Sequence, residues 1–142
     1  MRVTFKWYDE DKSIAYLHYA QGWTHQDVFR AFSETFDMLE SVNHSVDLVV
    51  EVYDQNVPAN IISITSVLKS KISINQRHTY FVNANTFIRI LIRASAAAIP
   101  AFERVTFCDT FDEALKRLHR DREQLAAHAA LAYHRSSRHE SD

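Results

Sequence analysis

The residues able to do chemistry are scattered along this chain rather than gathered. Eight histidines are present, yet no two stand three or four positions apart, the spacing that would place two imidazoles on one helical face, and no carboxylate completes a ligand set. The sequence therefore predicts no metal site. Cys108 is followed by Asp109, and with a distant histidine the two could make a nucleophilic triad, but a lone cysteine in a short apolar strand reads as a small hydrophobe. No catalytic residue is assigned, no cofactor is implied, and the chain is expected not to be an enzyme. Gly22 is the only glycine. Phosphate-cradling loops and dinucleotide fingerprints need several glycines for close backbone approach, so both are excluded.

The better candidates are polar residues at strand-to-helix junctions. Asp54, Asn56 and Asn60 follow one strand, and Asn83, Asn85 and Thr86 follow another. In a sheet with crossover helices these loops share one edge, beside helix N-termini with free amide donors, where a small anionic ligand could bind. The same residues would serve as helix caps. Ser63, Ser66 and Ser70 make a hydroxyl stripe on the helix after the first of these loops, and Ser63, in its first turn, is the candidate phosphorylation site.

The elements that position these residues follow from periodicity. Val46 to Tyr53 is short, β-branched and nearly unbroken in apolar content, as expected of a strand covered on both faces at the centre of a sheet. Pro58 forbids its continuation, and Ile61, Ile64, Thr65, Leu68 and Ile72 share one face of a helix beyond it. Val3, Phe5 and Trp7 alternate with polar residues, and Ser13 to Tyr19 is again strand-like, which predicts an N-terminal hairpin at one edge. Thr24 with Asp27 caps a helix whose apolar face carries Val28, Phe32, Thr35, Phe36, Leu39 and Val42. Arg77 to Val82 is a further strand, Phe87 to about Ile99 a helix stopped by Pro100, and Arg104 to Cys108 a last short strand. Thr110 and Glu113 form a capping box for the final helix. The predicted order is β-β-α-β-α-β-α-β-α: an α/β fold with a mostly parallel five-stranded sheet and four helices. Residues 1–125 form the α/β domain. Residues 126–142 form an alanine-rich helical extension ending in a disordered tail of about seven residues, which have nothing to bury.

At 142 residues with 46% hydrophobic content, one domain with a proper core is the default. A formal charge of −2 supplies no global field for nucleic acid or an anionic membrane. No apolar run reaches the roughly 18 residues needed to span a bilayer, and the N-terminus lacks a signal-peptide core. One cysteine excludes an internal disulfide. The chain is expected to be cytoplasmic.

This order of elements resembles the STAS-like fold, named for sulfate transporters and anti-sigma-factor antagonists. The buried strand Val46 to Tyr53, the pair Tyr80-Phe81-Val82 and Phe87 to Ile99, and the ending Arg104-Val105-Thr106-Phe107-Cys108-Asp109-Thr110-Phe111-Asp112-Glu113-Ala114-Leu115 carry the resemblance, over about residues 2 to 120. Family members that act as antagonists hold an Asp-Ser-Ser-Gly-like motif between the central strand and its helix, where one serine is phosphorylated. Here Val57-Pro58-Ala59-Asn60 stands in that place. The resemblance thus implies a non-enzymatic regulatory or protein-interaction module without the serine switch.

The helix beginning at Phe87 predicts a contact surface. Phe87, Leu91, Ala94 and Ala98 are expected to seat it on the sheet, which leaves Ile88, Ile92 and Ile99 as an exposed stripe. Burial of each isoleucine is worth about 1.5–3 kcal/mol, so a partner should cover them. A second copy related by a two-fold axis is the expected occupant, giving a homodimer, with another protein or the chain's own Leu125, Ala129, Ala132 and Tyr133 as alternatives.

Overall fold

The computed structural model describes residues 2–53, 73–97, 99 and 102–140, with side chains as far as Arg135. The helix expected after Asn60 lies outside them, as do Asp54, Asn56, Asn60 and the serine stripe that includes Ser63.

Five strands form one sheet in chain order: β1 (Val3–Trp7), β2 (Ile14–Tyr19), β3 (Val46–Val52), β4 (Gln76–Val82) and β5 (Val105–Cys108). β1 and β2 are the antiparallel hairpin, and the pairs β2/β3, β3/β4 and β4/β5 are parallel. The expected central strand is central, and the hairpin reaches one edge. The described residues hold three helices: α1 (His25–Glu40) joins β2 to β3, α2 (Thr86–Ser95) joins β4 to β5, and α3 (Phe111–Glu140) follows β5.

Strand alternation sorts the core into two layers. Leu17, Leu48, Val50, Val52 and Phe81 pack with Val28, Ala31 and Leu39 of α1 and Ile88 and Ile92 of α2 on one face. Val49, Tyr80, Val82 and Cys108 meet Ala114 and Leu118 of α3 on the other. β3 is buried at six of its seven positions, which is why its sequence shows no polar alternation.

Local chemistry sets the element ends. Thr24 accepts from the Asp27 amide at 3.3 Å while Asp27 accepts from the Thr24 amide at 2.9 Å, the reciprocal box its spacing predicted. Thr110 likewise caps Glu113, but the Glu113 carboxylate reaches back to the amide of Asp109. Gly22 sits at φ +78° in the turn into α1, a conformation that favours glycine.

Two expectations are corrected. Ile88, Ile92 and Ile99 are buried at 7%, 6% and 1% exposure, whereas Phe87 and Ile90 are each 59% exposed. The helix is rolled so that Ile88 and Ile92, not Phe87 and Ala94, face the sheet, and Ile99, beyond its end, is buried in the same core. Three isoleucines remove more apolar surface from water than one phenylalanine, one leucine and two alanines, so the richer stripe takes the core. The exposed isoleucine interface argued from the sequence is therefore absent. The second correction is at the C-terminus: α3 continues to Glu140 through residues expected to be disordered. Adding a residue to an existing helix costs far less than nucleating one.

Candidate functional site at the anchored and projecting helix α3

The site begins with a polar residue in an otherwise apolar strand. Asp47 is 1% exposed, and a carboxylate removed from water this completely needs partners. Two guanidinium groups supply them. Arg122 Nε of α3 donates to Asp47 Oδ2 at 2.7 Å, and Arg77 Nε of β4 lies 2.6 Å from Oδ1. A local irregularity explains the second contact. Val46 faces Gln76 but Leu48 faces Thr79, so β4 carries one extra residue there, a bulge of the kind that re-aims a side chain. The Arg77 N–H is not aligned on Oδ1, and among the described residues Asp47 Oδ1 and Arg77 Nη2 have no aligned hydrogen-bond partner. Desolvation disfavours the Arg77 charge, but Asp47 outweighs it and the guanidinium is held above its usual range.

The network continues into the hairpin turn. Arg122 Nη1 donates to Ser13 Oγ at 3.2 Å and Nη2 to Ser13 O at 2.9 Å. Ser13 Oγ donates to the Asp9 carboxylate, which also accepts from the Ser13 and Ile14 amides at 2.9 Å each. Burial acts to raise the Asp9 carboxyl, but these hydrogen bonds together hold it below its ordinary value. One residue earlier on α3, Asp121 accepts from Tyr80 Oη at 2.7 Å. Burial and this carboxylate push the Tyr80 phenol well above its usual range. Beside it His78 meets Thr106 Oγ1 at 2.7 Å, and burial, with the Arg77 charge next to it, lowers the imidazole. Asp121 and Arg122 thus tie α3 to β3, β4 and the hairpin turn at two adjacent positions.

Beyond this clamp the helix leaves the domain. Every residue from Glu123 to Arg135 is exposed, with Leu125 at 51%, Leu131 at 57% and Tyr133 at 72%. At 1.5 Å per residue the segment from Glu123 to Glu140 projects about 27 Å. The fold-back of Leu125, Ala129, Ala132 and Tyr133 onto α2 does not occur. These four instead prolong, beyond the sheet, the helix face that buries Leu118.

The junction residues are occupied within the fold. Asn83, at φ +66°, donates through Nδ2 to Val52 O at 2.9 Å and locks the end of β4 to the end of β3. Asn85 accepts from the Ile88 amide at 2.9 Å as the N-cap of α2, and Thr86 is its first, exposed residue. The structure brings these three together at one end of the sheet, where Asn85 takes the capping role that was the alternative to ligand binding. Cys108 is buried, and burial together with the Glu113 carboxylate raises its thiol, the opposite of what a nucleophilic cysteine needs. Among the described residues no group of three or more His, Cys, Asp or Glu side chains is placed to hold a metal ion, and no helix is long and apolar enough to cross a membrane. A cavity of about 150 Å³ separates α1 from α2 over the sheet, and the buried Thr35 hydroxyl in its wall has no partner among the described residues.

Sequence reasoning passed over the clamp. Periodicity alone reads Asp47 as part of a buried strand and Arg77 as a strand start, and it does not single out Arg122. The signal was present: a charged residue inside a strand covered on both faces demands a counter-charge. No family model, curated protein or solved structure matches this chain.

Proposed function

We propose that the chain is a non-catalytic protein-interaction module of STAS-like type, regulatory in role, which associates with a second copy of itself through the projecting half of α3. The observation that supports this reading is the exposed helix from Glu123 to Arg135. A helix of this length in water is marginal on its own, and most helical stability in proteins comes from packing an amphipathic face. Leu125, Ala129, Ala132 and Tyr133 form such a face. An antiparallel pairing about a two-fold axis at Ala129 sets Leu125 opposite Tyr133, with alanines between them that let the backbones approach closely. Burying Leu125 alone is worth about 1.5–3 kcal/mol per copy. The clamp at Asp121 and Arg122 fixes the direction in which this surface is offered, so less freedom is lost on docking.

Sedimentation velocity tests the proposal. The wild type is expected to dimerise with rising concentration, and Leu125→Glu with Tyr133→Glu to be monomeric with a urea midpoint matching that of the wild type at concentrations where it is monomeric, because both side chains are exposed on the projecting helix. A wild type that stays monomeric throughout, or a double variant that dimerises equally well, refutes the self-association.

A further inference from the structure

β5 is the edge strand of the sheet opposite the hairpin. β5 pairs with β4 alone, and among the described residues no strand covers its other side. Thr79 N donates to Arg104 O and Asn83 N to Cys108 O, both at 3.0 Å. In a parallel ladder residues alternate in the side to which they present their peptide groups, so Arg104, Thr106 and Cys108 bond inward while Val105 and Phe107 present N–H and C=O outward. Such an edge is a template for an incoming strand unless something blunts it.

Here its flanks are basic. A cleft of about 480 Å³ runs along this edge, lined by Arg89 and Arg93 of α2, Arg117 of α3, and Val105, Thr106 and Phe107, with Glu103 as its one acidic lining residue among the described residues. The guanidinium carbons of Arg89 and Arg93 lie 5.3 and 5.0 Å from the centre of the Phe107 ring, held over the edge by cation–π contact. Arg89 is further fixed by Ala84 O at 2.8 Å and by Asp109 at 3.3 Å. Arg93 is exposed and has no carboxylate within ion-pair distance among the described residues. Arg117 is 47% exposed and only 3.8 Å from its carboxylate neighbour. A chain of net charge −2 thus concentrates three arginines around one open strand edge, on both faces of the sheet.

We infer that β5 accepts an extended acidic segment of a partner protein as a sixth strand. The segment's backbone pairs with Val105 and Phe107. Its carboxylates fall alternately on the two faces, where Arg89 and Arg93 meet one set and Arg117 the other. Charge complementarity selects the partner, and the peptide ladder demands that it be extended.

The test uses the full chain and a short fluorescein-labelled peptide rich in Glu and Val, followed by fluorescence anisotropy. Three measurements are made: wild type, the surface variant Arg93→Gln with Arg117→Gln, and wild type with a peptide of the same sequence N-methylated at alternate amides. The expected result is saturable binding that weakens at least about tenfold, or about 1.4 kcal/mol, in each of the second and third measurements. Arg89 is left in place because it also bonds within the fold. Equal affinity for the methylated peptide, or full displacement by millimolar inorganic phosphate, would make the cleft a simple anion site and overturn the strand. No binding, or binding indifferent to the arginine changes, overturns it as well. These outcomes are read on α3 variants with equal validity, so they do not depend on the dimer.

Discussion

Replacing Arg122 with methionine isolates the energetic role of the clamp, because methionine retains most of the aliphatic stem and deletes only the guanidinium. The change removes one charge-assisted bond to Asp47 at 2.7 Å and two bonds to Ser13 at 3.2 and 2.9 Å. A hydrogen bond to a charged group is worth about 1.5–3 kcal/mol net and an ordinary one about 1 kcal/mol. The sum overstates the loss, since the Arg122 side chain is 32% exposed and water replaces part of what it gives up. Asp47 cannot be rehydrated in this way, at 1% exposure, but it retains Arg77. The expected cost is about 2–3 kcal/mol, below the roughly 3–5 kcal/mol of leaving a buried charge wholly unpaired. Replacing Asp47 with leucine and Arg77 with methionine as well should restore at least about half of it, because no charge of the network is then left buried without a partner and apolar side chains fill its place. Urea unfolding at neutral pH measures this as a shift in midpoint at constant slope. If Arg122→Met falls within about 0.5 kcal/mol of the wild type, or the triple variant is less stable than the single, the clamp does not carry the energy assigned to it.

The remaining predictions concern acid stability and the orientation of α2. The His78 imidazole is lowered from 6.5 by burial and the neighbouring Arg77, so the native state resists a proton that the unfolded chain accepts. Both states are neutral above that value. Stability is lost as pH falls below about 6.5 and continues to fall until the native imidazole itself protonates, and His78→Gln removes this component from the pH dependence of the urea midpoint. An unchanged acid slope in the variant would assign it to other groups. For α2, Ile92→Glu is expected to unfold the domain, since an unpaired charge replaces a side chain 6% exposed, while Phe87→Ser, at a site 59% exposed, changes stability by less than about 1 kcal/mol. Circular dichroism of a folded Ile92→Glu protein would restore the interface that the burial of Ile88 and Ile92 removes.

What the sequence disclosed and what it withheld divide along a physical line. Val46 to Val52 could be placed at the sheet centre because a strand buried on both faces has no other pattern available to it, and Thr24 with Asp27 could be placed at a helix start because a capping box depends on four consecutive residues. Both are local or one-dimensional signals. The face of α2 was misjudged because Phe87, Leu91 and Ala94 make as regular a stripe as Ile88, Ile92 and Ile99, and only the summed area against the sheet decides between them. Of the junction residues, Asn83 and Asn85 fell at the predicted end of the sheet, where the fold uses them itself.

The clamp lay further beyond sequence reasoning because its members are far apart in the chain. Ser13 and Arg122 are 109 positions apart, and Asp47 and Arg122 are 75 apart. No periodicity links such residues. What Asp47 did announce was a debt of counter-charge, and the structure meets it with Arg77 from a bulge and Arg122 from the last helical turn that touches the sheet. That placement gives the buried ion pair a purpose beyond stability, for which such pairs are weak instruments. Apolar packing at Ala114 and Leu118 would hold α3 against the sheet in many rotations about its axis. Asp121 on Tyr80 and Arg122 on Asp47, adjacent in sequence, admit only one. The rotation they select aligns Leu125, Ala129 and Tyr133 with the buried face of the helix and carries that face, unpartnered, out of the domain. If the proposed pairing of α3 is correct, loosening the clamp should weaken dimerisation before it unfolds the domain. Arg122→Met examined at temperatures well below its unfolding transition should therefore associate less tightly than the wild type, although Arg122 lies outside the pairing surface itself.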